Sequence, residues 1–265
     1  MQAQLLSLAF FPDDSSWHHE SFQSKSIFHW IFPYDFSWFP TGPEKVGYFK
    51  AAEKEIKTLE SKEAWEVAER SPWMNVLPTT WAIHCMHYHD GSNCKLKGRF
   101  CVRGDKQVEG VDYFETNALV INWTTVCLML ILSIILGLHT VQVDYTAAFV
   151  HAPIDQYPLW HNFSDGEKAK EGVYVLMPRG FTEPGNVQKL KRCFYGLKQS
   201  RRNFFQHLKK ILELFGFISV PDIEPCLFVS DSVSCISYVD YTLFFFPREE
   251  FIQGAIKKLQ QNGWS

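Results

Sequence analysis

The stretch Leu119 to Leu138, LVINWTTVCLMLILSIILGL, constrains the fold more than any other part of this chain. It runs for 20 residues without a charge. A segment of that length and composition either crosses a membrane or packs inside a protein. Asn122, Thr124, Thr125, Ser133 and Gly137 interrupt the apolar run, and no flanking Lys or Arg sets an orientation. It also runs directly into HTVQVDYTAAF, which has the pattern of a core strand. These features predict a buried helix at about 120–137 feeding a strand at about 140–146, and no membrane association.

The flanking patterns build a mixed fold around that helix. In EKVGYFKAAEKEIKTLESKEAWEVAE, Tyr48, Ala52, Ile56 and Leu59 recur at helical spacing, with Lys and Glu on the other face. TTWAIHCMHYHDGSNCKLKGRFCV holds two strand-like runs around Asp90-Gly91, a hairpin signal. VYVLM at 173–177 reads as a strand, and residues 199–215 as a helix ended by Gly216. CLFVS (226–230), SCISYV (234–239) and TLFFF follow as strands, and a last helix is expected from about 248 to 261. Helices and strands mix without strict βαβ alternation, so an α+β fold with an antiparallel sheet is expected. Residues 1–42 are rich in Phe, Trp, His, Ser and Pro without any period, and are expected to form a poorly ordered leader. Residues 43–262 are expected to form the folded domain.

Cysteine usage and charge exclude several classes. The seven cysteines are scattered and form no C-x-x-C, which argues for a reducing compartment and against a disulfide scaffold or a zinc finger. In a strand His87 and His89 would share one face, yet no Cys or His pair has a recognised zinc spacing. The N-terminus has no positively charged region of the kind a signal peptide carries, so an intracellular, cytoplasmic protein is expected, not a secreted one. Net charge is −3, so a nucleic-acid surface has to come from local clustering.

Three constellations carry chemistry. Asp144 stands at the end of an apolar strand, and Asp240 lies within SYVDYTLFF, an almost wholly apolar and aromatic run. A carboxylate there is either a turn former or a metal ligand. If the two strands are neighbours, the two acids converge, and two convergent acids can hold Mg²⁺ for phosphoryl transfer. The second constellation is KLKRCFYGLKQSRRNFFQHLKK, in which Lys189, Lys191, Arg192, Lys198, Arg201 and Arg202 are interleaved with aromatic residues and no acid. It reads equally as a nucleic-acid surface and as a solvated helix face. In the third, Lys95, Lys97 and Arg99 alternate on a strand, either to bind a triphosphate or to charge a sheet edge.

These residues carry a resemblance to the Ty1/copia-type retrotransposon reverse transcriptases. KLKGRFCVRG (95–104) resembles their YKARLVAKG segment, and GVDYFETNALV (110–120) their G-DY-ETFAPV. QVDYTAAFV (142–150) is similar to QMDVKTAFLNG, and VYVLMPRGF (173–181) to IYM-QP-GF. FYGLKQSRRNFF (194–205) is similar to LYGLKQAPRLW. DIEPCLF (222–228) and YVDY (238–241) stand where the family has D-C-F and YVDD. The likeness runs from about residue 45 to 255, and the order and spacing of seven motifs make it specific.

The resemblance implies a right-hand polymerase fold, with fingers and a palm built on a central antiparallel sheet. It implies that Asp144 and Asp240 are the catalytic ligands of two Mg²⁺ ions. Lys97 and Arg99 would grip the triphosphate of a deoxynucleotide, and Phe149 would exclude a ribose 2′-OH. Gln199 would lie in the segment packed against the nascent base pair, and the basic run would hold an RNA or DNA template–primer. Other parts of a retrotransposon polyprotein are implied as partners.

The sequence departs from the family at Tyr241, where YVDD has its second aspartate. A phenol is a poor Mg²⁺ ligand at neutral pH. Asn117 and Leu119 replace the usual Phe and Pro, and the chain stops soon after the palm, with the thumb expected to be missing. Three readings follow: an impaired or inactive polymerase piece, a competent domain working with Asp144 and Asp240 alone, and a non-catalytic nucleic-acid-binding remnant.

Overall fold

A computed structural model describes residues 45–72, 74–87, 93–154, 172–177 and 186–254; the leader expected at 1–42 lies outside these residues. Helix α1 (Lys45–Ser61) forms over the apolar spacing, and Tyr48, Ala52, Ile56 and Leu59 are all buried. The helical stretch expected to run on to Glu69 is corrected: the helix stops at Ser61, the chain turns through Glu63 at φ +50°, and residues 65–69 are extended and paired in a sheet. Strands β1 (Trp65–Glu69) and β2 (Val76–Leu77) follow. Strands β3 (Thr79–His87) and β4 (Asn93–Val102) then pair antiparallel, from Thr79 opposite Val102 to His87 opposite Asn93. The Asp90-Gly91 turn expected between them lies outside the described residues.

Helix α2 (Trp123–Ile135) leads into β5 (His139–Asp144), and α3 (Ala148–His151) comes next. Strands β6 (Tyr174–Val175) and β7 (Asn186–Leu190) join β1 and β2 in a sheet of order β1-β7-β6-β2. Within it, β2 and β6 are parallel and the other pairs antiparallel. Helix α4 (Ser200–Leu214) precedes β8 (Ile218–Val220), β9 (Glu224–Val229), β10 (Ser234–Tyr238) and β11 (Tyr241–Phe246). These four strands and β5 make an antiparallel sheet of order β5-β11-β10-β9-β8. A further helix is described over 249–254. The α+β expectation therefore holds, with antiparallel pairing dominant.

The core lies between α4 and the five-stranded sheet. Asn203, Phe204, Leu208 and Leu212 recur at helical spacing and are buried. Phe205 meets Phe228 at 6.4 Å between ring centroids, and Phe217 meets Phe244 at 6.4 Å. Each such side chain contributes about 1.5–3 kcal/mol by leaving water. A second aromatic cluster ties the other two sheets to this core. Phe100 of β4 lies 6.3 Å from Trp65, 5.6 Å from Trp81 and 5.8 Å from Phe194.

The apolar segment that dominates the sequence behaves differently from its expectation. Only one stripe of α2 packs inward: Ser133 is buried, and Val126, Met129 and Leu130 rest against the core. Trp123, Leu128, Ile131, Ile134 and Ile135 are exposed, Ile134 by 78%. The buried helix expected at about 120–137 is thus corrected to a half-packed one over Trp123–Ile135. A helix on one side of a sheet buries only a stripe, whatever its composition. Its start is well fixed: the Asn122 side chain accepts the Thr124 N–H at 3.0 Å, an N-cap. Buried Glu224 accepts from the Asn122 N–H at 2.9 Å and the Thr125 hydroxyl at 3.2 Å. Among the described residues no helix is long and apolar enough to cross a membrane.

The loop between β7 and α4 is locked to the end of β4 by a pair of glycines. The Val102 N–H donates to the Tyr195 carbonyl at 2.8 Å. A Cβ on Gly196 would lie 2.0 Å from the Val102 oxygen, and one on Gly104 would lie 2.0 Å from the Gly196 oxygen. Gly196 also has φ +92°, which L side chains rarely adopt. Replacing Gly196 by Ala is therefore expected to destabilise the protein by about 3 kcal/mol or more. Gly216→Ala, at φ +87° in open space, should cost only about 1 kcal/mol. Urea unfolding of both variants checks the difference, and equal losses would refute the close-approach account.

Candidate active site

The pairing of β5 with β11 sets the site. The register places Tyr241 directly opposite Asp144 and continues to His139 opposite Phe246. On the other side of β11, β10 pairs with Tyr238 opposite Tyr241, which leaves Val239 and Asp240 as the two-residue turn of a tight hairpin. Just past β5 the Tyr145 N–H donates to the Asp240 carbonyl at 3.2 Å, which holds the turn over the end of that strand. The Tyr145 hydroxyl donates to Thr242 Oγ1 at 3.0 Å in the interior and pins the same corner from below. Val239 sits at φ +53°. A β-branched residue there carries about 1–3 kcal/mol of strain, which persists only because the strands on both sides fix it.

The site therefore gathers two carboxylates and a phenol. Asp144 is exposed and Asp240 half-buried. Neither makes an ion pair among the described residues. Tyr241 is 39% exposed. Asp240 first, then Asp144, push its phenol above the ordinary tyrosine range, and Arg99 pulls the other way. Both carboxylates thus project negative charge onto the same ring, which Arg99 offsets only in part.

Arg99 reaches this corner from β4. Its guanidinium carbon lies 4.7 Å from the ring centroid of Tyr195, a cation–π contact. Burial pushes the Tyr195 phenol up to about 12; Asp240 adds to the rise and Arg99 opposes it. Tyr195 stands edge-on to Phe149 at 4.9 Å, and Phe149 meets Phe204 at 6.0 Å. Phe149 is held by α3, which the chain enters through Ala147 at φ +53°. With Ala118, Val120, Arg201, Phe205 and Val239, Phe149 lines a small cleft beside the hairpin turn. Lys97 is exposed on β4, opposite His84.

Gln199 is buried. Its amide nitrogen donates to the Asp112 carbonyl at 3.2 Å, and its oxygen accepts from Gln107 Nε2 at 2.9 Å. Gln107 Oε1 in turn accepts the Lys198 N–H at 2.8 Å. The side chain of Gln199 thus braces the loop that carries Tyr195.

The structure divides the basic run among several surfaces. Lys189 and Lys191 both face Glu66 of β1, at 3.8 and 3.3 Å. Arg202 pairs with Glu115, and Arg192 donates to the His151 carbonyl at 3.3 Å. Lys198 donates to the Tyr113 hydroxyl at 3.0 Å and lies 4.6 Å from that ring's centroid. Arg201 is exposed and forms no ion pair among the described residues. The run has no acid in sequence, yet acids distant in sequence meet it in space. Sequence reasoning gave no role to Tyr195, Gln107 or Asp112. Tyr195 stood among the interleaved aromatics, and Gln107 carried no local signal.

Asp144 and Asp240 are hard oxygen donors, the class that Mg²⁺ takes. Among the described residues no cluster of three or more His, Cys, Asp or Glu could hold a metal. A divalent ion here would rest on two carboxylates, backbone oxygen and water.

A family model for reverse transcriptase (RNA-dependent DNA polymerase) matches residues 62–261. The chain is 25% identical over 189 residues to the retrovirus-related Pol polyprotein from transposon TNT 1-94 of Nicotiana tabacum, covering 70% of this chain. It is 30% identical over 190 residues, again 70% of this chain, to that from transposon RE1 of Arabidopsis thaliana. It is 24% identical over 220 residues, 82% of this chain, to the Ty1-DR4 Gag-Pol polyprotein of Saccharomyces cerevisiae. The matched region spans only 12–13% of the length of these relatives.

The geometry predicts a pH signature. Tyr241 should ionise above the ordinary tyrosine range, because a phenolate there would face two carboxylates. Asp240→Asn should lower its titration midpoint most, and Asp144→Asn less. Tyrosine-selective ¹³C NMR between pH 8 and 12 reads this, and an unchanged midpoint in both variants would contradict the arrangement.

Proposed function

The chain belongs to the reverse transcriptase (RNA-dependent DNA polymerase) family, and from that premise we propose that it is a copia-type polymerase domain of severely reduced activity. In this reading residues 43–262 form fingers and palm. The β3–β4 hairpin supplies the fingers and the β5-β11-β10 sheet the palm. The observation that carries the reading is the convergence of Asp144 and Asp240 at one corner of a sheet.

Asp144 and Asp240 would hold Mg²⁺ as two ions. Such ions would supply Lewis-acid stabilisation for phosphoryl transfer from a deoxynucleoside triphosphate to a primer hydroxyl. The chain's own residues do the rest. Arg99 and Lys97 bring positive charge from β4 to meet the triphosphate. Phe149, packed between Tyr195 and Phe204, has little freedom to move aside and so excludes a ribose 2′-OH. Gln199 keeps the loop of Tyr195 in place for the nascent base pair. Lys189, Lys191, Arg192, Lys198, Arg201 and Arg202 contact the phosphates of an RNA or DNA template–primer. Other segments of a polyprotein complete the enzyme.

Tyr241 is the reason for the low activity. It places a neutral ring where the family motif has an acid, so the site carries less charge to hold its metal. Losing one charge-stabilising group commonly lowers a rate by two to three orders of magnitude, about 10²–10³. The same substitution leaves the basic residues untouched, which supports a second reading as a non-catalytic nucleic-acid-binding remnant.

Primer extension with Mg²⁺ or Mn²⁺ tests this. Tyr241→Asp is expected to raise the rate at least about 10²-fold, and Asp240→Ala in that background to abolish it. A wild type as fast as Tyr241→Asp would contradict the impairment. Binding without extension in both proteins would favour the remnant.

A further inference from the structure

Helix α1 packs backbone to backbone on β4 at Gly98. Gly98 is buried, and a Cβ there would already meet the helix, 3.4 Å from the Ala52 nitrogen and 3.5 Å from the Ala52 Cα. Ala52 is buried too, so no large side chain separates helix and strand. Glu55 follows Ala52 by three residues and shares its side of α1. It is half-buried, and the Phe100 N–H donates to its carboxylate. Further along the same edge of β4, the Val102 N–H donates to the Tyr195 carbonyl at 2.8 Å. Glu55 therefore lies on the outer edge of β4, close to the loop that carries Tyr195.

From there its charge reaches Arg99, whose guanidinium carbon stands 4.7 Å from the Tyr195 ring centroid. Burial pushes the Glu55 carboxyl up, while the Phe100 N–H, then Arg99, then Lys97 pull it down. Glu55 in turn adds to the rise of the Tyr195 phenol and of the Cys101 thiol, and Arg99 opposes both. On its other side Arg99 lowers the Tyr241 phenol against Asp240 and Asp144. Arg99 thus stands between two sets of acids, Glu55 on α1 and the carboxylates of the corner. Among the described residues it closes an ion pair with neither. With only the corner to attract it, the guanidinium would swing toward Asp240, because a charge-assisted arginine–carboxylate pair is strong. It would then cover the oxygens that a metal needs.

We propose that Glu55 is a positioning residue for Arg99. From the α1 side of β4 it keeps the guanidinium stacked on Tyr195 and off Asp240 and Asp144, so the two carboxylates stay open to a divalent cation. The metal half of this inference rests on the reading of the corner given above, and the placement of Arg99 does not.

The test uses the full chain and two readouts that need no turnover. NMR of labelled arginine reads the upfield ring-current shift that Tyr195 imposes on the Arg99 side chain. The wild type should show it, and unshifted wild-type resonances overturn the proposal without any variant. Glu55→Gln should reduce the shift; its amide oxygen can still accept the Phe100 N–H, so the charge is removed and the packing kept. The second readout is Mn²⁺ affinity, followed by the broadening of Tyr241. Glu55→Gln should weaken it by about fivefold, and should leave it unchanged in an Arg99→Gln background, because Glu55 acts through Arg99. A role in helix packing, or plain attraction of the cation by Glu55, would weaken Mn²⁺ equally in both backgrounds, and that result overturns the proposal. So does a ring-current shift that survives Glu55→Gln. If the shift falls as expected but the wild type holds no Mn²⁺ at the corner, the placement of Arg99 stands and the metal reading of the corner falls.

Discussion

The antiparallel register of β5 against β11 is the constraint on which the corner holding Asp144 and Asp240 depends. Side chains alternate along a strand, so a slip of one residue would turn Asp144 to the other face and take it away from Asp240. That slip is opposed on both sides. Along β11, Phe244, Phe245 and Phe246 are all buried, and moving them would open the core. At the corner the Tyr145 N–H bond to the Asp240 carbonyl and the Tyr145–Thr242 hydroxyl bond fix the end of the ladder. The strained backbone at Val239 is the consequence of closing the hairpin in two residues at this place.

A second set of contacts brings the β3–β4 hairpin to the same corner. The glycine pair at Gly104 and Gly196 lets the end of β4 and the loop after β7 approach to a distance that no side chain permits. Tyr195 then lies between Arg99 and Phe149. The buried amides of Gln107 and Gln199 close the loop from behind. Three sheets thus deliver carboxylates, a cation and an aromatic wall to one place. That delivery runs through backbone close approach, buried polar bonds and the ring contacts of Tyr195 and Phe149.

Much of this was legible in the sequence, where local pattern decides local structure. The stripe of α4 ended at Gly216 and the run of short strands from β9 to β11 appear within a residue or two of their expected places, whereas α1 covers its apolar spacing but ends at Ser61 and gives way to β1. The convergence of Asp144 and Asp240 was conditional on two strands being neighbours, and the sheet order makes them so. What the sequence hid was set by distant partners. Strands β1 and β7 are short and pair across more than a hundred residues, so no local period reveals them. Glu66 and Glu115 meet Lys191 and Arg202 only in space. The outer face of α2 is exposed because the sheet offers one side to pack on, and no hydropathy pattern carries that fact.

The central claim is that Asp144 and Asp240 jointly form a metal site with Tyr241 at its edge. Paramagnetic broadening by Mn²⁺ of labelled tyrosine rings tests it most directly, because it reads the metal's position without requiring turnover. The account predicts selective broadening of Tyr241, then of Tyr195, and its loss in Asp144→Asn and in Asp240→Asn taken singly. Broadening that survives either neutralisation, or that spreads evenly over all tyrosines, would contradict it.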